Sequence, residues 1–591
     1  MVGMKNKKAS PEALQPAKKK IIRRANLVML GLSLAVILLL NIIGSYLYTR
    51  FDLTSEKRYT LSDATKAFLE NVDDVVYFQV YLEGDFPSGF KRLRNATREM
   101  LDEFRAYNDN IQYKFINPSE GKDTKVTQNL YKQLMTKGLQ PSEINENNAE
   151  GMSQQIIFPG AIVSYKGKEL PMQLLMSQQG LGPEQVLNNS IQGLEYNIAN
   201  VIRKISVVTK QRIAFLQGHA ELDKTRVADI SYALSEYYDI DFVTIDGKLN
   251  SLFIRDTVQQ KLINRYEALI IAKPDSAFPE KDKYMIDQHI MRGGKVIWFI
   301  DPVFASMDSL QANNETIGFG RSLNLDDMLF NYGVRINTNL ILDMNCMKIP
   351  VVTGDFGGQP QQSFLPWYFF PTVTPTIDHP VVKNLNAIKC EFVSSIDTVG
   401  KPDIKKTVLL TTSKYSRTVN TPCRITLDIM SQKVDERYFN KPNIPIAILL
   451  GGKFKSLFHG RLPEEILTDK AKYDFRETAP ENTEMIVISD GDIIKNQLHY
   501  SEGYPLPLGY DQFTNQMFGN RDFVMNTVDY LCDASGLITV RSRELKIRLL
   551  DKAAITKNKM AIQFINTAMP VIVILIFGLI WIYIRKRMFT K

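Results

Sequence analysis

Four cysteines among 591 residues, Cys346, Cys390, Cys423 and Cys532, stand far apart and never in C-x-x-C spacing. That scarcity excludes a disulfide framework and a thiolate metal site, and leaves room for one or two disulfides in an oxidising compartment. Phosphate-loop chemistry is missing too. Gly451-Gly-Lys453-Phe-Lys455-Ser456 has a suggestive composition, yet no Gly-Lys pair in the chain is followed by the Ser or Thr that G-x-x-x-x-G-K-[ST] requires. Any ATP hydrolysis therefore belongs to a partner. Neither a G-x-S-x-G nor a G-x-C-x-G elbow occurs, and Cys346 in Asp343-Met-Asn-Cys346 has no flanking glycines, so the usual signals of a nucleophile are lacking.

A basic folded surface is also lacking. The net charge is +8, but residues 1–24 hold six Lys, two Arg and one Glu, or +7, and residues 585–591 hold +4, so the remainder carries 8 − 11 = −3. Nucleic-acid binding would need a basic face on the folded region, and this balance gives it no support.

What the chain does have is two long apolar runs near its ends, Leu27 to Leu47 and Phe564 to Ile584. Each is long enough for a bilayer core of about 30 Å at about 1.5 Å per helical residue. Lys18, Lys19, Lys20, Arg23 and Arg24 precede the first, and Arg585, Lys586 and Arg587 follow the second. Since Lys and Arg near a span stay in the cytoplasm, both termini are expected there, with the region from Thr49 to Lys559 on the far side, the periplasm of a Gram-negative cell. The first run exceeds an ordinary signal-peptide core and no A-x-A site precedes Tyr46, so an uncleaved anchor is expected. Asn41 is a polar group inside that run, placed to contact another subunit or the second span; Asn566 and Pro570 lie near the start of the latter.

The expected fold class is α/β: two terminal transmembrane helices enclosing a small βαβ-containing domain and a larger parallel-sheet domain. The segments are a basic tail over 1–24, a helix over 25–48, a first domain over 49–208, a second over 209–545 with an irregular β-rich insertion at about 352–480, a linker over 546–563, a helix over 564–584 and a tail over 585–591. In the first domain, Ser62 caps a short helix to about Glu70. Val75 to Leu82 and Ile111 to Ile116 are strands around a helix from Ser88 to Tyr107. Ile156 to Tyr165 and Glu169 to Leu175 make a hairpin about Lys166-Gly-Lys168, and a helix from Ser190 to Ile205 follows. In the second, the runs Arg212 to Leu216, Asp241 to Ile245, Ala268 to Ala272 and Lys295 to Ile300 alternate with helices Arg226 to Tyr238 and Lys281 to Met291. This pattern predicts a parallel sheet covered on both faces, with Arg292-Gly-Gly294 as a helix stop. Ile444 to Leu450 and Glu484 to Ile488 rejoin the sheet, and Asn520 to Cys532 is a closing helix. A long polar loop is expected from Leu462 to Asn482.

Gly218-His219-Ala220-Glu221 directly follows a strand, where ligand sites of open α/β sheets sit. His219 and Glu221 could pair as acid and base, but with no nucleophile in view a turn or contact surface is the favoured role. Asp490-Gly491-Asp492 also follows a strand; it lacks the remaining ligands of an EF-hand loop, which favours a turn over a metal site. His289, His379, His459 and His499 are isolated. Trp367, Tyr368, Phe369 and Phe370 suit an interface and a core equally.

Several motifs in order carry a wider likeness: Leu53-Thr54 through Tyr59-Thr-Leu-Ser62, Phe215-Leu-Gln-Gly-His219-Ala-Glu221, Gly293-Gly-Lys-Val296, Asp301-Pro302 and Asp378-His-Pro380. Ser489-Asp-Gly-Asp492, Asn526 to Leu531, Arg541-Ser-Arg543 and the closing apolar run complete it. With these the chain resembles the GldG family, the gliding-motility-associated auxiliary subunit of an ABC transporter, departing from it at Ala220, where the family carries Gly. The resemblance implies a cytoplasmic ABC ATPase and an ABC-2 type permease as partners, beside the lipid bilayer and an unknown substrate or envelope component. It also implies that the second domain is like a glutamine-amidotransferase α/β fold without a working triad: that fold places its His-x-Glu late, whereas His219 and Glu221 follow the first strand. The expectation is a non-catalytic inner-membrane subunit with no cofactor, no catalytic residue and no metal. The alternative is a doubly anchored solute-binding protein or scaffold. Gly218, His219, Glu221, Asp490, Asp492 and Trp367 are the candidate contact residues.

Overall fold

The computed structural model describes residues 15–46, 60–120, 124–148, 151–176, 182–206, 210–256, 261–356, 359–430, 435–468, 473–533, 536–537, 540, 555 and 557–589. The tail before Gln15, the approach segment to Tyr59, most of the linker and Arg541-Ser-Arg543 lie outside these residues. The chain divides into a unit ending at Thr60 and a second running from Leu61 to the end. The first unit contains one helix, Gln15–Tyr46, on which Asn41 is exposed. Among the described residues, one helix is long and apolar enough to cross a membrane, Lys559–Arg587, with a mean hydropathy of 2.5; Leu27–Ile42 is apolar but shorter.

From Leu61 the first lobe holds the expected sheet elements, with an unexpected helix, Thr124–Thr136, and the expected strand Ile156 to Tyr165 divided between Gly151–Ile157, which pairs with Ser142–Asn148, and Gly160–Tyr165. Ser62 caps helix Asp63–Leu69 by accepting a hydrogen bond from the Thr65 amide. Strands Val76–Val80 and Ile111–Phe115 are parallel, joined by helix Ser88–Tyr107, and the four-stranded sheet continues through Gly160–Tyr165 and Lys168–Gln173. Lys166 and Gly167 turn that last hairpin with φ of 46° and 81°, the left-handed pair a tight two-residue turn needs. The single helix expected over Ser190 to Ile205 is two, Pro183–Gln192 and Leu194–Ser206. Gly193, the weakest helix former in the run, stands at the break.

The second lobe is built on seven strands in the order Ile404–Thr411, Pro445–Gly452, Glu484–Ile488, Lys295–Phe299, Ala268–Ala272, Arg212–Gln217 and Asp239–Thr244. The last five are mutually parallel. Pro445–Gly452 rejoins the sheet as expected but antiparallel to its neighbour, and Ile404–Thr411 pairs antiparallel beyond it, so the sheet is mixed and not wholly parallel. Ala268–Ala272 is buried at every residue because both faces are covered. Ile213, Phe215, Ile270, Ile297 and Ile486 face one core with helix Asn520–Cys532; Ala214, Leu216, Leu269, Trp298 and Val487 face the other with helix Glu280–Met291. That second helix ends where Gly293 adopts φ 84°, as the Gly-Gly stop predicts.

The largest departure lies in the insertion. Most of Phe364 to Pro375, expected to be irregular, belongs instead to strand Gln359–Val373, paired antiparallel with Cys346–Phe356 in a long ribbon; Thr374 and Pro375 lie beyond its end. Trp367 is wholly buried there with Phe369, Phe370 and Phe392, which answers the open choice between interface and core. The predicted loop after Leu462 includes a short helix, Glu464–Thr468. The cysteines are all free.

The lobes are tied together at Asp529. Its carboxylate accepts from the Tyr238 hydroxyl at 2.8 Å, with Arg203 at 3.5 Å and Lys204 at 3.8 Å reaching in from the last first-lobe helix. Leu537 and Val540 then pack into the first-lobe core, carrying the chain from the second lobe back to the first.

Candidate functional site

The candidate site lies at the carboxyl ends of the parallel strands. Strand Arg212–Gln217 leads to Asp239–Thr244 on one side and, on the other, neighbours Ala268–Ala272, making a switch point of the kind where α/β sheets bind ligands. Two charged networks lie along this edge.

The first is centred on His219. Gly218 takes φ 121°, where a Cβ would stand 3.3 Å from Thr244 Cγ2, and Ala220 takes φ 55°, a conformation an alanine adopts at a cost that glycine avoids. This turn folds His219 inward until it is 2% exposed. Nδ1 lies 3.1 Å from Glu221 Oε1 and Nε2 lies 3.0 Å from Asp282 Oδ2. Its backbone amide donates to Glu221 Oε2 at 2.7 Å, and its ring stacks on Phe278 at 3.7 Å. Burial pushes the imidazole pKa down, but the two carboxylates outweigh it and raise it above the ordinary value. The His219 carbonyl accepts from the amides of Asp275 and Ser276. His219 is thus a fastener between strand, loop and helix, with both ring nitrogens engaged.

The second network gathers the ends of three strands. Lys273, just past Ala268–Ala272, places its Nζ 3.0 Å from Asp301 and against Asp492, which also receives Lys495 at 2.6 Å. Asp490 caps the short turn Gly491–Ile494: it accepts from the Asp492 amide at 2.8 Å and from the Glu391 amide at 2.8 Å. Burial, reinforced by Asp301 and Asp492, pushes the Asp490 carboxyl well above its ordinary value. For Asp492 burial is outweighed by the ammonium groups of Lys273 and Lys495, and its pKa falls. Carboxylate oxygens of Asp301, Asp490 and Asp492 lie within 4.8 Å of one another, close enough to ligate a cation, but the Lys273 ammonium already bridges two of them. The ammonium groups of Lys273 and Lys495 thus sit among the three acidic side chains.

Above this floor opens a cleft of about 1160 Å³. Arg226, Lys273, Asp492 and Lys495 line the sheet side. The ribbon contributes Met347 to Val352, with Phe304, Phe370 and Phe392 beside it. Tyr500 and Phe513 stand exposed at the rim. Lys389 is buried between Glu391 at 2.9 Å and Asp511 at 3.4 Å, and Arg321 pairs with Asp275 at 3.0 Å. Cys346, weighed as a nucleophile, is unsuited to that work: burial and then Asp343 push its thiol up to about 12.

Of the candidate contacts, Asp492 lines the cleft, while Gly218, His219, Glu221, Asp490 and Trp367 do not. Sequence reading passed over Lys273, Asp282, Lys495 and Arg226. A usable signal existed for one of them: Lys273 directly follows a buried apolar strand, the same position that drew attention to Gly218.

Residues 210–527 match the family model described as an ABC-type uncharacterized transport system. The match covers more than half of the chain, which belongs to this family of transport-system auxiliary proteins. Residues 55–164 match a domain family of unknown function. The chain is 22% identical over 578 residues to an uncharacterized protein of Borreliella burgdorferi, covering 94% of this chain and 97% of the relative. Among solved structures it is similar to the mmIFT52 N-terminal domain (12% identity, TM-score 0.29, 54% of this chain and 96% of that one). A putative ThuA-like protein from Parabacteroides merdae is also similar (11% identity, TM-score 0.23, 55% and 91%). At these scores neither structural likeness bears on function.

Proposed function

We propose that this chain, as a member of that family, is a non-catalytic auxiliary subunit of an ABC transport system, working beside a separate ATPase and an ABC-2 type permease. The observation that carries the reading is the family match across the whole second lobe. Both apolar helices anchor the chain in the inner membrane, with both termini cytoplasmic and both lobes periplasmic; the basic residues Arg585, Lys586 and Arg587 after Lys559–Arg587 support that orientation. The engaged ring of His219 and the raised thiol of Cys346 fit a fold that performs no covalent chemistry. The finer assignment, a GldG-type subunit linked to gliding motility and to secretion or envelope assembly, rests on the ordered motifs from Leu53 onward. Reconstitution of the ATPase and permease with and without this chain tests the role. Transport or its coupling to ATP hydrolysis is expected to fall without it, and unchanged values for both would sink the proposal.

The cleft favours a second reading, in which the chain itself binds a solute, either within such a system or as an independent doubly anchored protein or scaffold. A concave site of this size at a sheet switch point is where ligands bind.

A further inference from the structure

The cleft is two-faced. Its sheet side is charged; the insertion side carries charges too, among them Arg321, Lys348 and Lys389, but also an apolar wall of Phe304, Leu310, Ile349, Phe370 and Phe392. The charges themselves are mostly spent: Lys273, Lys495, Lys389 and Arg321 all have carboxylate partners. Two cationic side chains on the lining have none among the described residues, Arg226 from the sheet lobe and Lys348 from the ribbon. One lining carboxylate, Asp308, is likewise without an ion pair, but it sits in the first turn of helix Met307–Asn313, where the helix dipole favours a negative charge. An occupant that brings negative charge to Arg226 and Lys348 and apolar surface to the aromatic wall suits this lining.

We infer that the cleft binds a small anionic amphiphile, an apolar body bearing a phosphate or carboxylate group, whose charge is met by Arg226 and Lys348 while its body lies on the aromatic wall of the insertion. Arg226 offers the planar fork suited to an oxyanion, and Lys348 adds a point charge from the opposite wall. The inference rests on reading the cleft as a ligand site and is independent of the subunit partnership.

The test uses the purified full-length chain in lipid nanodiscs, without ATPase or permease, titrated with hexyl phosphate, hexanol and inorganic phosphate and read by unfolding temperature and calorimetry against empty nanodiscs. Hexyl phosphate is expected to bind and to raise the unfolding temperature, with hexanol and inorganic phosphate each at least about tenfold weaker. Arg226→Ala and Lys348→Ala should each weaken hexyl phosphate about tenfold and leave hexanol unchanged, while Arg226→Lys should retain most of the binding. Equal binding of hexanol, equal binding of inorganic phosphate, no binding at all, or a folded double variant that binds like the natural chain would each overturn the inference. None of those results would touch the proposed partnership, which is read from transport.

Discussion

Two charged networks share one edge of one sheet, and they have opposite characters. Around His219 everything closes: two carboxylates take the ring nitrogens, Phe278 covers the ring, and no side chain of the group reaches the cleft. Around Lys273 and Asp492 the ions are equally well paired, but they form the floor of an open cavity roofed by the insertion. A motif prominent in sequence has been used to fasten loops, and the accessible surface has been made from residues far apart in the chain. The difference teaches that chemical potential at a strand end becomes a site only where the fold leaves space above it.

The strongest way to break this comparison is Asp492→Ala. It takes from Lys273 one of its two carboxylates, leaving Asp301, and removes the carboxylate that pairs with Lys495, and it should cost about 3–5 kcal/mol in unfolding of the full chain. Loss of denaturant resistance followed by fluorescence of the buried Trp298 and Trp367 would report it. His219→Ala should cost less, about 2–3 kcal/mol, because Glu221 and Asp282 lose charged hydrogen bonds while Asp282 keeps its favourable place in the first turn of its helix. A cost as large as that of Asp492→Ala would mean that the two networks are not different in kind.

The pH dependence sharpens the contrast. His219 has a raised folded pKa, so the stability difference between the natural chain and His219→Ala should be complete below the ordinary histidine value of 6.5 and shrink as pH rises through the folded value. Asp492 has a lowered folded pKa. Its advantage over Asp492→Ala should be complete above the ordinary aspartate value of 3.8 and fade as pH falls through the folded value. Unfolding curves at several pH values would check both signs. The smallest effects belong to Arg226→Ala and Lys348→Ala, expected within about 0.5 kcal/mol of the natural stability because neither side chain has an ion partner among the described residues.

Much of the second lobe was legible in the sequence for a physical reason. Ala268–Ala272 and Glu484–Ile488 are short apolar runs bounded by polar turn residues, and helix Asn520–Cys532 keeps an apolar stripe, so their limits were read to the residue. The ribbon was missed because Pro350, Pro360, Pro366 and Pro371 demote a strand reading. The sheet tolerates them because Gln359–Val373 meets its third strand, Ile388–Lys389, only at Thr372 and Val373, so most of its outer edge needs no further ladder bonds. His219 and Asp492 were picked out from their strand-end positions, but their surroundings were not visible. Asp282 lies 63 residues from His219, and Asp492 lies 219 from Lys273, separations over which no local pattern carries information.

The most direct test of the central claim is affinity purification of the tagged full-length chain from gently solubilised membranes, with mass spectrometry of its companions. An ABC ATPase and a multispan permease recovered in amounts comparable to the bait is the predicted result. A well-folded sample that brings down neither would contradict the auxiliary-subunit account.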